Sequence, residues 1–152
     1  MTLLETLGAK ASQAKVIATD IDTDALAKAR KGIYPQEQVR KLDEARVKRF
    51  FQKGTGNHIG LARVRPEVSA LVEFMPLNLL APQWPIKGPF DAIFCRNVMI
   101  YFDKETQAKI LKRFAPLMKQ DGLLFAGHSE NFSYISDAFK LRGQTVYTLA
   151  NK

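Results

Sequence analysis

The sequence predicts an α/β domain: a mostly parallel sheet with helices between its strands and an antiparallel hairpin at its end. Three observations predict it. Short apolar runs without polar alternation, Ala92 to Cys95 foremost, read as strands buried on both faces of a parallel sheet. These runs alternate with segments of helical periodicity. Polar residues then stand where the runs stop: Asp20, Asn78 and the pair Arg96–Asn97. In open α/β sheets, ligands sit beyond the carboxyl ends of the strands. The three positions therefore outline one nucleotide-like pocket on a Rossmann-like sheet.

The elements follow in order. Thr2 to Leu7 reads as a short helix closed by Gly8, a residue suited to the position after a helix end. Lys15 to Asp22 is a β-branched run ending in acids, and Thr23 reads as the cap of a helix through Arg30 that Gly32 stops. Asp22 and Asp24 are read as helix-capping acids. Asp20 suits either the same role or the ribose-binding acid found at the end of a second strand. Tyr34–Pro35 opens a helical segment to about Gln52, with Val39, Leu42, Val47, Phe50 and Phe51 as its apolar positions. In Gly54 to Pro66, turn residues alternate with Ile59, Leu61 and Val64, a pattern of small antiparallel hairpins. Its three glycines do not make a phosphate loop, because no buried strand precedes them and no helix follows.

Ala70 to Met75 returns to strand character and ends at Pro76-Leu77-Asn78. Lys87-Gly88-Pro89 is a turn signal before the run that ends at Arg96–Asn97. Those two side chains either face a ligand or satisfy loop carbonyls. Asp103 is a good N-cap for an amphipathic helix from Lys104 to Met118. A turn at Gln120-Asp121-Gly122 leads into a buried strand, Leu123 to Ala126. Phe139 to Arg142 and Thr145 to Leu149 form the closing hairpin across Gly143–Gln144.

Composition narrows the function. At 152 residues, 46% hydrophobic and 25% charged, the chain is the size of one globular domain. It has no apolar run long enough for a membrane span and no signal-peptide pattern. The one cysteine, Cys95, reads as a small core hydrophobe, excludes an intrachain disulfide and suits a reducing cytoplasm. Charge is concentrated: Lys28 to Arg65 holds eleven Lys/Arg against three acids, which accounts for the whole net charge of +8. A block of this kind requires a partner bearing negative charge.

The segments ATDIDTDALAKARKGIY, GTGNHIGLARVRPEV, FMPLNLLA, GPFDAIFCRNVMIYFD and DGLLFAGHSENF together resemble the chemotaxis receptor methyltransferases, the CheR family. The resemblance covers nearly the whole chain. It implies a Rossmann-like methyltransferase fold, S-adenosylmethionine as cofactor and methyl transfer to glutamate side chains of bacterial chemoreceptors. Carried over by position, Asp20 resembles the ribose-binding acid, and Asn78 and Leu79 look like adenine-side contacts. Arg96 and Asn97 look like pocket residues near the methionine end, and Tyr101 like the tyrosine close to the reacting centre. The family's inserted β-subdomain, here about 52–68, docks a receptor's C-terminal peptide as an added strand. Gly54, Gly56, Gly60 and Arg63 match its pattern. His58 and His128 are given no catalytic role, and no metal ligands are expected.

The sequence also departs from the family pattern. Family members begin with a helical domain and a first strand with its glycine-rich cofactor loop. Only about 14 residues precede the strand ending at Asp20, too few for a strand–loop–helix unit of about 30. The expectation is a truncated fold lacking a strand between those ending at Asp20 and Arg96. Impaired cofactor binding and self-association through unpaired edges follow from it. Two readings of other classes compete: a receptor-peptide-binding module without chemistry, and a basic nucleic-acid binder. The second is disfavoured because the basic block lacks interleaved exposed aromatics. No nucleic acid and no membrane insertion are expected, and the location implied is cytoplasmic.

Overall fold

A computed structural model of the chain describes residues 1–150. The chain forms two compact units, Met1–Asn78 and the part from Leu79 onward.

The first unit begins with α1 (Thr2–Leu7), ended by Gly8 in a positive-φ conformation, and a 3-10 turn over Gly8–Gln13. Strand β1 (Val16–Asp20) leads into α2 (Thr23–Lys31). The cap of α2 is Asp22 rather than Thr23: its Oδ1 accepts the backbone N–H of Asp24 (2.8 Å) and of Ala25 (3.1 Å). Gly32 stops α2 at φ 59°, a left-handed conformation that favours glycine. Strand β5 (Val72–Pro76) pairs parallel with β1, placing Asp20 opposite Pro76.

Between β1 and β5 the structure corrects the sequence reading. The single helix expected from Tyr34 to Gln52 is instead strand β2 (Ile33–Pro35), helix α3 (Gln36–Val39), helix α4 (Glu44–Phe50) and strand β3 (Phe51–Lys53). The break has a local cause. Asp43 Oδ1 accepts from Ala45 N (2.9 Å) and Arg46 N (3.2 Å), so it caps a new helix instead of continuing the old one. Strand β4 (Leu61–Val64) is the centre of a small antiparallel sheet in the order β2-β4-β3, and the short α5 (Pro66–Ser69) follows. The hairpin predicted for this stretch is therefore present, and it recruits a third strand from before residue 52. Val39, Phe50 and Ala62 are buried here.

The second unit holds β6 (Phe90–Cys95), α6 (Lys104–Phe114), β7 (Met118–Ala126), β8 (Phe139–Gly143) and β9 (Val146–Leu149). They form a sheet in the order β6-β7-β9-β8, with β6 and β7 parallel across α6 and β9 antiparallel to both its neighbours. The turn expected at residues 120–122 is an irregularity within β7: the register jumps from Phe90–Met118 to Ala92–Leu123. The closing hairpin turns at Gln144, φ 48°. Leu111, Met99, Leu124, Phe132 and Tyr147 make the core of this unit.

The strand containing Phe94 was expected to be buried on both faces. Instead Phe94 is 69% exposed, stacked on Phe125 with ring centroids 4.3 Å apart. Among the described residues, β6 pairs only with β7 and β1 only with β5, so each strand has one side without a hydrogen-bonded neighbour.

Candidate functional site

Parallel pairing aligns strand ends, and in the first unit it brings two predicted residues together. Asp20 closes β1 beside Pro76, and the N–H of Leu77 donates to the Asp20 carbonyl at 2.9 Å. Asn78 is the next residue, so a carboxylate and an amide lie at the carboxyl ends of adjacent strands. Asp20 Oδ1 accepts from Asp22 N at 3.0 Å, which fixes the carboxylate at the strand end. Such a pair fits the hydroxyl and amine edges of a ribosyl-adenine group.

In the second unit, Leu79 lies in a loop that α6 holds from beneath. Its carbonyl accepts from Trp84 Nε1 (3.3 Å) and Arg113 Nη1 (3.2 Å), and Arg113 also donates to Ala81 O (2.7 Å) and Pro82 O (3.2 Å). The guanidinium sits 3.8 Å from the centroid of the Trp84 ring. Arg113 was not singled out in the sequence, where it reads as one of the cations favoured in a helix's last turn.

Arg96 and Asn97 follow β6 directly and are exposed, with Asn97 at φ 58°. Tyr101 ends a 3-10 turn over Met99–Tyr101 and is 80% exposed. Gln107 anchors this turn by donating to Met99 O and Phe102 O, both at 2.9 Å. Asp103 caps α6 through Thr106 N (2.7 Å), and that N–H holds its carboxyl below the usual range. Arg96, Asn97 and Tyr101 thus fall on one chain segment after β6. Cys95 is buried beneath it; burial, aided by the charge of Glu130, pushes its thiol up to about 12.

One buried acid was missed. Glu130 accepts backbone N–H groups from Asn97 (3.1 Å), Val98 (3.1 Å), Met99 (2.8 Å) and Gly127 (2.5 Å). Its signal was a lone acid shortly after a buried strand, in the segment GHSENF.

The residues that the resemblance assigns to peptide docking lie on the small sheet and in the turn joining β3 to β4. Gly54 has no room for a side chain: a Cβ would lie 2.0 Å from His58 O. Gly56 and Gly60 have φ 54° and 87°. Arg63 is exposed on the central strand, opposite Ile33 on one side and Gln52 on the other. Part of the basic block is already committed within the unit. Arg30 donates to Phe74 O (2.8 Å), and Arg46 grips Glu5 through two bonds (2.9 and 2.5 Å).

Parallel strand pairs carrying polar side chains just past their carboxyl ends define the Rossmann-like α/β class of folds. Within that class, residues 1–148 match the model of the CheR methyltransferase, SAM binding domain, and the chain belongs to that family. It is similar to a chemotaxis protein methyltransferase of Escherichia coli (strain K12), with 60% identity over 99% of this chain and 52% of the relative. Pseudomonas aeruginosa has a "Chemotaxis protein methyltransferase 2" that is 51% identical over 99% of this chain and 54% of its own length. A "Probable chemotaxis protein methyltransferase" of Rhizobium etli is 42% identical over 91% of this chain and 52% of its own. The chain spans about half the length of these relatives.

Proposed function

We propose that the chain is the cofactor-binding part of an enzyme that transfers a methyl group from S-adenosylmethionine to glutamate side chains of bacterial chemoreceptors. The observation that carries this reading is the family match over 148 residues. The polar residues at the ends of β1, β5 and β6 support it. In the first unit Asp20 suits ribose hydroxyls and Asn78 an adenine edge; in the second, taken by itself, Leu79 suits an adenine contact, and Arg96 and Asn97 suit the methionine end of the donor.

S-adenosylmethionine supplies an electrophilic methyl group on a sulfonium. The substrate glutamate is already ionised near neutral pH, so the protein's task is to orient and desolvate a carboxylate rather than to remove a proton. Arg96 and Tyr101, a fixed cation and a phenol, suit that task. The small sheet gives a second role. Its short outer strands β2 and β3 accept a receptor's C-terminal peptide by strand addition, with Arg63 pairing a peptide carboxylate. The working place of such an enzyme is the cytoplasm. No helix among the described residues is long and apolar enough to cross a membrane.

Calorimetric titration with S-adenosylhomocysteine tests the pocket. Asp20→Ala is expected to weaken binding about ten-fold or more, the effect of deleting a charged hydrogen-bond acceptor. Equal binding by parent and variant would remove Asp20 from the site.

The free sides of β1 and β6 support self-association. Each leaves backbone donors and acceptors available, and β6 adds the exposed Phe94. Sedimentation of the chain at micromolar concentration is expected to show a dimer or larger species. A monomer across that range rules the association out.

A further inference from the structure

Glu130 is 6% exposed, and it is the one charged side chain among the buried described residues. A buried carboxylate must be compensated, and here backbone alone compensates it. Oε1 takes the N–H groups of Val98 and Met99, while Oε2 takes those of Asn97 and Gly127. Three successive N–H groups converging on one anion form a nest, which needs a left-handed residue next to a right-handed one. Asn97 (φ 58°) and Val98 (φ −116°, ψ −42°) supply that pair. The fit leaves no slack. A Cβ on Gly127 would lie 2.5 Å from Asn97 Oδ1 and 2.7 Å from Glu130 Oε2.

We propose that Glu130 is a positioning residue for methyl-donor binding: an internal anion around which the turn after β6 folds, setting the placement of Arg96 and Asn97. Neither of those two is fixed by regular structure. They lie past the end of β6, and Asn97 holds a conformation that non-glycine residues adopt at a cost. The four bonds to Glu130 offset that cost. Glutamine cannot replace it, because an amide NH2 would confront N–H groups with another donor. The inference rests on the reading that Arg96 and Asn97 face the donor.

The test compares the chain with Glu130→Gln and Glu130→Ala, using S-adenosylhomocysteine titration and the amide NMR signals of Asn97, Val98 and Met99. Both variants are expected to lose about ten-fold or more in affinity, with those three amides shifted upfield and far-UV circular dichroism unchanged. Added formate should occupy the emptied nest of Glu130→Ala and restore both signals, while equal chloride should not. Glu130→Gln, whose nest is filled, should not respond to formate. If Glu130→Ala does not fold, the isosteric Glu130→Gln carries the test alone.

Parent-like affinity in Glu130→Gln overturns the proposal, as does formate that restores the amides without the affinity. A parent that fails to bind S-adenosylhomocysteine overturns the cofactor reading and the positioning role with it. Shifted amides in Glu130→Gln would then show that the turn still depends on Glu130, although it positions nothing for the methyl donor.

Discussion

Gly54→Ala is expected to abolish docking of a receptor C-terminal peptide. The added methyl carbon would sit 2.0 Å from the carbonyl oxygen of His58 and 2.8 Å from its carbonyl carbon. Those are backbone atoms of the turn joining β3 to β4, so no side chain can swing aside. The N–H of Gly54 donates to Leu61 O at 2.8 Å, so the displaced residue takes the first bond of the hairpin with it. Arg63→Glu separates surface chemistry from this collapse. It reverses an exposed charge at the middle of β4, should leave the circular dichroism spectrum intact, and should reduce peptide affinity beyond detection. Fluorescence anisotropy with a labelled peptide measures both. If Arg63→Glu binds as the parent does, the small sheet is not the docking surface.

The second large effect is on stability. Leu124 is fully buried on β7, paired with Ile93 of β6 and Tyr147 of β9. Leu124→Ala removes three heavy atoms from a buried cluster that also holds Ile110, Leu111 and Phe114 of α6, where close packing leaves little room to fill the void. The expected cost is about 2–5 kcal/mol, read from chemical denaturation of parent and variant. A smaller loss would mean that the second unit repacks more freely than its order suggests.

The signals that were legible in the sequence were local and repetitive. Gly32 ended a helix, Asp103 began one, Gly143–Gln144 turned a hairpin, and each depends on residues a few positions away. The small sheet was half legible for the same reason. Gly54 to Val64 carries its own alternation, whereas Ile33–Pro35 becomes a strand only because β4, nearly thirty residues later, lies alongside it. Asp43 was hidden inside a run of helical spacing, where a side-chain cap outcompeted continuation. Phe94 shows the opposite error. An apolar run predicts burial only if something covers it, and the sequence of a strand does not say what does. The placement of Asp20, Asn78, Arg96 and Asn97 at or just past strand ends was readable because strand ends are predictable. Glu130 was not, since its partners Asn97 to Met99 lie 31–33 residues away and an acid in a loop ordinarily faces water.

Cys95 gives the chain a kinetic reporter. Burial both hides its sulfur from solvent and, aided by the charge of Glu130, pushes the thiol up to about 12, so almost no thiolate meets solvent near neutral pH while β6 is in place. Alkylation must wait for β6 to detach. The labelling rate of this one thiol in the sequence therefore counts openings of the strand that carries Arg96 and Asn97. Any ligand gripping that strand end would register as slower labelling, without having to touch the sulfur.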